Sequence, residues 1–188
     1  MKSRIFATVI ALLATACAEG GIGSGVIVRN AHYDGYSHSD YVYASAGGFP
    51  VEVRGNPLSV PQEVFQEAVV EAMQGTTWGP PAHFVVQPEG EPPLSRIVLE
   101  FGDSRNVDTR ALCTTNARGE GRFEGRPVVV GAAFCHGERA LSRVTGSVPD
   151  LSGPRDTRLY ALMSQVNGQL LPPENPHFRD GCRFGFGC

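Results

Sequence analysis

The residues of this chain best suited to chemistry are its five cysteines. A thiol can form a disulfide, bind zinc as a thiolate or act as a nucleophile. No two of them stand at Cys-x-x-Cys spacing, and the adjacent Cys135 and His136 lack the spacing of zinc ligands. The pattern therefore favours disulfides over a metal or cofactor site, with a catalytic thiol as the weaker alternative. The five are Cys17, Cys113, Cys135, Cys182 and Cys188.

Residues 1–16 have the layout of a cleaved export signal. Lys2 and Arg4 form a short positive head, residues 5–13 are apolar and uncharged, and small residues follow at 14–16. The apolar run is shorter than the roughly 20 residues that a membrane-spanning helix needs. No later stretch reaches that length, so we expect an exported protein without a transmembrane helix.

The stretch LATAC, residues 13–17, resembles the lipobox of bacterial lipoprotein signal peptides. In that family the cysteine is lipidated and becomes the mature N-terminus, although leucine is usual where this chain has Ala14. The resemblance implies a membrane anchor on Cys17. The aspartate that retains such proteins at the inner membrane of model enteric bacteria is missing, which favours the outer membrane, facing the periplasm. The alternative is ordinary secretion after Ala16, with Cys17 left as a thiol.

Cysteine parity agrees with lipidation, because removing Cys17 leaves four cysteines, an even number for an oxidising compartment. Four cysteines allow three connectivities. We favour Cys113 with Cys135, on neighbouring predicted strands, and Cys182 with Cys188, which closes the short loop CRFGFGC. Chain entropy gives about 3 kcal/mol for the longer loop and about 2 kcal/mol for the shorter.

The composition excludes several classes of function. Without the first 16 residues the chain has 172, the size of one domain. Lys2 is the only lysine, so the remainder carries 14 arginines against 19 acidic residues, a formal charge of −5. Schiff-base and Walker-type lysine chemistry are excluded. A lysine-free acidic chain is also poorly suited to nucleic acid.

The glycine- and tyrosine-rich composition of the segment after Cys17 predicts how the chain is divided. Residues 17–46 are expected to be a lipidated N-terminus with a flexible tether rich in glycine and tyrosine. Residues 47–188 are expected to form one domain whose tail is closed by cysteines.

The segment 30–43 of the expected tether concentrates side chains that could bind a metal. Histidine imidazoles and aspartate carboxylates two residues apart would share a strand face. The alternative, which we favour, is an exposed polar linker with surface aromatics and a turn at Asp34-Gly35. The metal candidates are His32, Asp34, His38 and Asp40.

The periodicity predicts an α+β fold, an antiparallel sheet of five or six strands with two helices on one face. Helical spacing marks segments 59–75 and 154–168. Alternation and apolar runs mark the strands, with the last two forming a hairpin around 136–139. The predicted strands cover 51–54, 82–87, 95–101, 110–115, 127–135 and 140–148.

This layout is loosely similar to that of small outer-membrane accessory lipoproteins, such as the type that assists lipopolysaccharide assembly. The similarity lies in a lipidated N-terminus and a compact sheet with two helices. It implies a non-enzymatic binding or assembly role with an envelope protein partner. No individual residue is carried over.

The alternative from another class is a small periplasmic hydrolase. G-x-S-x-G and H-E-x-x-H motifs are missing from the sequence. A hydrolase would have to join His83 or His136 to a carboxylate in a pocket. The candidate carboxylates are Asp103, Asp108 and Glu100.

Three aromatic residues are candidates for contact with a partner. A closed CRFGFGC loop would hold Phe184 and Phe186 outward, and exposed aromatics are costly unless something covers them. They would pack either on the domain or on a partner. Trp78, after the first long helix, is interpreted as a core residue, with a binding anchor as the alternative.

Overall fold

A computed structural model describes residues 25–102, 107–114 and 127–176. These residues form an α+β unit with one six-stranded sheet and three helices. The elements are β1 Ile27–Tyr33, α1 His38–Ser45, β2 Phe49–Arg54, α2 Gln62–Met73, β3 Phe84–Val86, β4 Ser95–Gly102, β5 Val128–His136, β6 Arg139–Val148 and α3 Thr157–Leu170.

The sheet is mixed, with the strand order β1-β6-β5-β4-β2-β3. Strand β2 lies parallel to both of its neighbours, β3 and β4, and the other pairs are antiparallel. The prediction of α+β is confirmed, but the prediction of a purely antiparallel sheet is wrong. The reason is that β3 and β4, which follow each other in the chain, do not pair with each other. Instead β2, α2 and β3 form a parallel crossover, and β4 pairs on the other side of β2.

Helices α2 and α3 pack on the same face of the sheet. Both bury apolar side chains in one cluster that also takes alternate residues of the strands, among them Val53, Leu99, Val130 and Val144. Alternation places those residues on one side of the pleat. The buried positions of α3, Leu159, Leu162, Met163 and Val166, are those that the helical spacing predicts.

The prediction of a flexible tether is wrong for its described part, residues 25–46. Strand β1 pairs with β6 at the edge of the sheet, and α1 follows it. The sequence predicts surface positions for Tyr36 and Tyr41, but both are fully buried. Their hydroxyls donate to the carbonyl oxygens of Pro172 and Pro80, at 2.8 and 2.9 Å. A buried tyrosine with a satisfied hydroxyl adds apolar area to the core, and this outweighs the local glycine and serine content.

The segment 110–115 is not a strand in its described part, which ends at 114. Residues 109–114 form turns, with the backbone amides of Ala111 and Thr114 bonded to carbonyl oxygens three residues earlier. The predicted hairpin between the last two strands is confirmed, and Gly137 takes a positive φ of 59° in its turn. Of the helices in the described ranges, none is long and apolar enough to span a membrane.

Candidate functional site

Four charged residues lie on the face of the sheet opposite the helices. Glu52 and Arg54 on β2 pair in register with Val98 and Glu100 on β4, and Arg96 lies two residues before Val98. Their even spacing puts them on one face. Arg54, Arg96 and Glu100 are only 6–8% exposed. We call Glu52, Arg54, Arg96 and Glu100 the charge layer.

Residues 107–114, which we call the strap, cover this face. The strap packs closely on Gly131 of β5. A Cβ atom at this position would lie 2.3 Å from Val107 Cγ1 and 3.1 Å from Thr109 Cγ2, which leaves no room for a side chain. Leu112 and Cys113 are buried together with Val98, Ala133 and Cys135 in a second small apolar cluster. The missing side chain at position 131 is therefore what lets the strap approach the sheet.

The two arginines of the charge layer tie the strap to the sheet. Arg54 donates from Nε to Glu52 Oε1 at 2.7 Å and from Nη1 to the carbonyl oxygen of Leu112 at 3.1 Å. Arg96 donates from Nη2 to the carbonyl oxygen of Cys113 at 3.0 Å. Its Nη1 reaches the carbonyl oxygen of Gly137 at 3.1 Å. Guanidinium groups suit this role because they present several donors in a fixed plane.

A disulfide joins the strap to β5. Cys113 and Cys135 are bonded to each other and are both nearly inaccessible to solvent. This is the pairing that the sequence analysis favours, although Cys113 lies in a turn rather than on a strand. Neither sulfur is available as a nucleophile or as a zinc ligand in this state.

The surroundings of Glu100 perturb the ionisation of its carboxyl group. Burial raises the pKa of Glu100, the nearby Asp108 carboxylate raises it further, and the positive charge of Arg54 opposes the shift. Desolvation is the largest of these effects. Glu100 therefore holds its proton more readily than an exposed glutamate does.

The charged groups of the charge layer mainly hold the structure together. Arg54 and Arg96 direct their described donors to Glu52 and to backbone carbonyl oxygens. Arg96 Nε also lies 3.6 Å from Glu52 Oε2, an ion pair beyond hydrogen-bond distance. Charges buried in this way require such partners, because an unpaired one costs several kcal/mol. The arginines thus act as fasteners of the strap rather than as ligands for an external anion.

The described histidines and carboxylates of the hydrolase alternative are not brought together. His136 pairs in register with Ser95, five residues along β4 from Glu100. An odd separation places them on opposite faces, and five residues of strand span about 17 Å. His83 is exposed just before β3, and Asp108 is exposed on the strap. Asp103 lies outside the described residues.

The four metal candidates have separate roles. Asp34 forms an ion pair with Arg143, 3.3 Å from Nη2 to Oδ2. Asp40 Oδ2 accepts from the backbone amide of Ser37, 3.2 Å away, at the start of α1. The ring of His38 lies tilted by 44° against that of Tyr41, with the centroids 5.3 Å apart, and His32 is exposed on β1. Within the described ranges, no group of three or more histidine, cysteine or acidic side chains could hold a metal ion.

Trp78 is 61% exposed, so its interpretation as a core residue is wrong. It lies in the loop between α2 and β3, which contains Pro80 and Pro81. Its alternative role as a binding anchor remains a prediction. The other candidates, Cys17, Cys182, Cys188, Phe184 and Phe186, lie outside the described residues.

Sequence reasoning missed the charge layer. Alternation of Val51 and Val53 with Glu52 and Arg54 predicts a strand with one face in water, and Arg54 is instead buried. A weak signal was present in SRIVLEF, where Arg96 and Glu100 flank a run otherwise suited to a fully buried strand. Charges in such a strand indicate a covered polar face.

Comparison with known proteins gives matches among solved structures. No protein-family model matches the chain, and no curated protein matches it. Two solved structures of PelC from Paraburkholderia phytofirmans, a dodecamer and a dodecameric point variant, match with a TM-score of 0.42 each. They are 13% and 11% identical to this chain, cover 78% of it, and are themselves covered over 97% and 96% of their length. A likeness at this TM-score does not bear on function.

Proposed function

We propose that this protein is exported and anchored in a bacterial cell envelope by lipid on Cys17, and that its folded domain acts there as a binding or assembly component. The outer membrane, facing the periplasm, is the location that the residues after Cys17 favour. The partner is an envelope protein rather than nucleic acid.

The observation that carries this proposal is the buried Cys113–Cys135 disulfide. Such bonds form and persist in oxidising compartments and are rare in the reducing cytosol. Taken with the export signal and the lipobox-like LATAC, the disulfide supports a location outside the cytoplasm.

The binding role, rather than hydrolysis, is supported by how the polar groups are used. Glu100 is enclosed beneath the strap, and His136 lies exposed on the other face of the sheet. The large exposed side chains, by contrast, include Tyr43, a residue type that is enriched at protein interfaces.

The test is the intact mass of the full-length protein, expressed in a bacterium and purified from detergent-solubilised membranes. Thiols are alkylated before and after reduction. We expect a chain that starts at Cys17 and carries diacylglyceryl and acyl groups. We also expect four thiols that react only after reduction.

A matched variant, Cys17→Ser, removes only the acceptor thiol and should be recovered without lipid. A wild-type chain that starts at Cys17 or later without lipid contradicts the anchor. Reactive thiols at Cys113 and Cys135 before reduction contradict the oxidising location. A lipidated chain with both cysteines paired supports the proposal and directs the search to envelope partners.

A further inference from the structure

Trp78 is held in an exposed position rather than left loose. Thr76, two residues earlier, donates from Oγ1 to the carbonyl oxygen of Met73 at 2.6 Å and accepts from Asn167 Nδ2 at 2.7 Å. Trp78 Nε1 lies 3.6 Å from the position that a Cβ on Gly168 would take. The indole is thus placed against the C-terminal half of α3, with 61% of the residue exposed. An indole held in this position offers a large apolar surface to an aromatic side chain that reaches it.

The described chain ends beside this loop. Asn175 donates from Nδ2 to the carbonyl oxygen of Tyr36 at 2.9 Å, which fixes the chain one residue before its described end. The hydroxyl of Tyr36 lies 3.5 Å from His38 Nδ1. His38 Nε2 is in turn 3.1 Å from the Cβ position of Gly79, the neighbour of Trp78. A short series of contacts therefore connects the exit point with the tryptophan.

We propose that residues 177–188 of the same chain dock on the surface around Trp78. This segment contains three phenylalanines, Phe178, Phe184 and Phe186. Phe184 is eight residues beyond position 176, a distance of at most about 29 Å along an extended chain. The segment therefore has both the reach and the aromatic side chains that would cover an indole.

The predicted Cys182–Cys188 bond would favour this docking. A closed CRFGFGC loop has fewer conformations than an open one, so placing Phe184 and Phe186 on Trp78 costs less entropy. The proposal does not depend on the lipid anchor, because an unlipidated chain would dock in the same way.

Trp78 is the only tryptophan in the chain, so the tryptophan fluorescence of the protein reports on whether this side chain is covered. The experiment compares acrylamide quenching of its fluorescence in the full-length protein and in the full-length Phe184→Ala/Phe186→Ala variant. We expect the quenching constant to rise roughly two-fold in the variant, because the two rings no longer cover the indole. The single Phe178→Ala variant, a smaller change, should raise it less.

The matched control is Leu94→Ala. Leu94 is 64% exposed and lies near Gly137, in the turn between β5 and β6. It should leave the quenching constant unchanged. Equal quenching in the wild type and in the double variant overturns the proposal, whether Trp78 is exposed in both or covered in both. Quenching that falls as protein concentration rises also overturns it, since a second copy would then be the cover.

Discussion

Arg96 donates a hydrogen bond to the carbonyl oxygen of Cys113, 3.0 Å away, and Cys113 is covalently bonded to Cys135, the residue that pairs with Arg96 across β4 and β5. The end of the strap is therefore fastened twice at one position of the sheet. One fastening is a disulfide and the other a charge-assisted hydrogen bond. Because both hold the same turn, their contributions to stability should not be additive.

Removing the disulfide should destabilise the protein while leaving the strap partly attached. The Cys113→Ala/Cys135→Ala variant is expected to lose about 3 kcal/mol of unfolding free energy, the chain-entropy value for a loop of this size. Urea unfolding followed by circular dichroism measures the loss. The control is the Cys182→Ala/Cys188→Ala variant, in which adding reductant should still lower the unfolding free energy by a comparable amount. A Cys113→Ala/Cys135→Ala variant as stable as the wild type would contradict the Cys113–Cys135 disulfide.

Arg96→Ala should be among the most destabilising single changes in the sheet. It removes the donors to Cys113 and Gly137 and leaves Glu52 without one of its cations. The expected loss is about 3 kcal/mol, the range found when one partner of a buried charge pair is removed. Urea unfolding of Arg96→Ala, Arg96→Lys and the wild type checks this.

Lysine keeps the charge of Arg96 but not its planar donors, so Arg96→Lys should fall between the other two proteins. Arg29→Ala is the matched control, because Arg29 is exposed on β1 and should change stability by less than about 0.5 kcal/mol. Equal effects of Arg29→Ala and Arg96→Ala would show that the charge layer does not fasten the strap.

The close approach of the strap to β5 predicts a rescue experiment. Gly131→Ala places a methyl group where Val107 Cγ1 would be 2.3 Å away, so the strap must move. We expect a loss of about 1–3 kcal/mol, typical of overpacking. Val107→Ala should restore part of it in the double variant Val107→Ala/Gly131→Ala, because it removes the clashing methyl. Losses that simply add in the double variant would contradict this packing.

The order of local elements could be read from the sequence better than the way they are assembled. Spacing predicts α2 and α3, and alternation predicts β2, because each pattern depends on residues near one another in the chain. The position of β4 beside β2 depends on a crossover that no local pattern specifies. The burial of Tyr36 and Tyr41 likewise depends on contacts with the distant Pro172 and Pro80.

The charge layer could not be predicted from the sequence for the same reason. Arg54 is buried only because the strap, more than fifty residues later in the sequence, covers it. From β2 alone, a polar residue between two valines indicates a solvent-facing position. The disulfide could be predicted because parity and compartment limit the choices, and these are properties of the whole chain.

Glu100 gives the chain a pH dependence of known sign. Its folded pKa is raised, chiefly by burial and also by Asp108, so the folded state binds a proton more tightly than the unfolded state does. The contribution of Glu100 to the free energy of unfolding is therefore most favourable below the pKa of an ordinary glutamate, near 4.5. It is lost as pH rises through the pKa that Glu100 has in the folded state. Glu100→Gln cannot ionise, so its stability relative to the wild type should increase with pH and then level off.

Urea unfolding of Glu100→Gln and the wild type, at intervals from about pH 4 to pH 8, measures this difference across the range where carboxyls titrate. In a protein that carries Asp108→Asn, the stability that depends on Glu100 should be lost at lower pH, because the substitution removes a charge that raises the pKa of Glu100. Glu89→Gln, at an exposed loop position, is the matched control. A difference that falls as pH rises would mean that attraction to Arg54 outweighs burial, so that the folded pKa of Glu100 is lowered rather than raised.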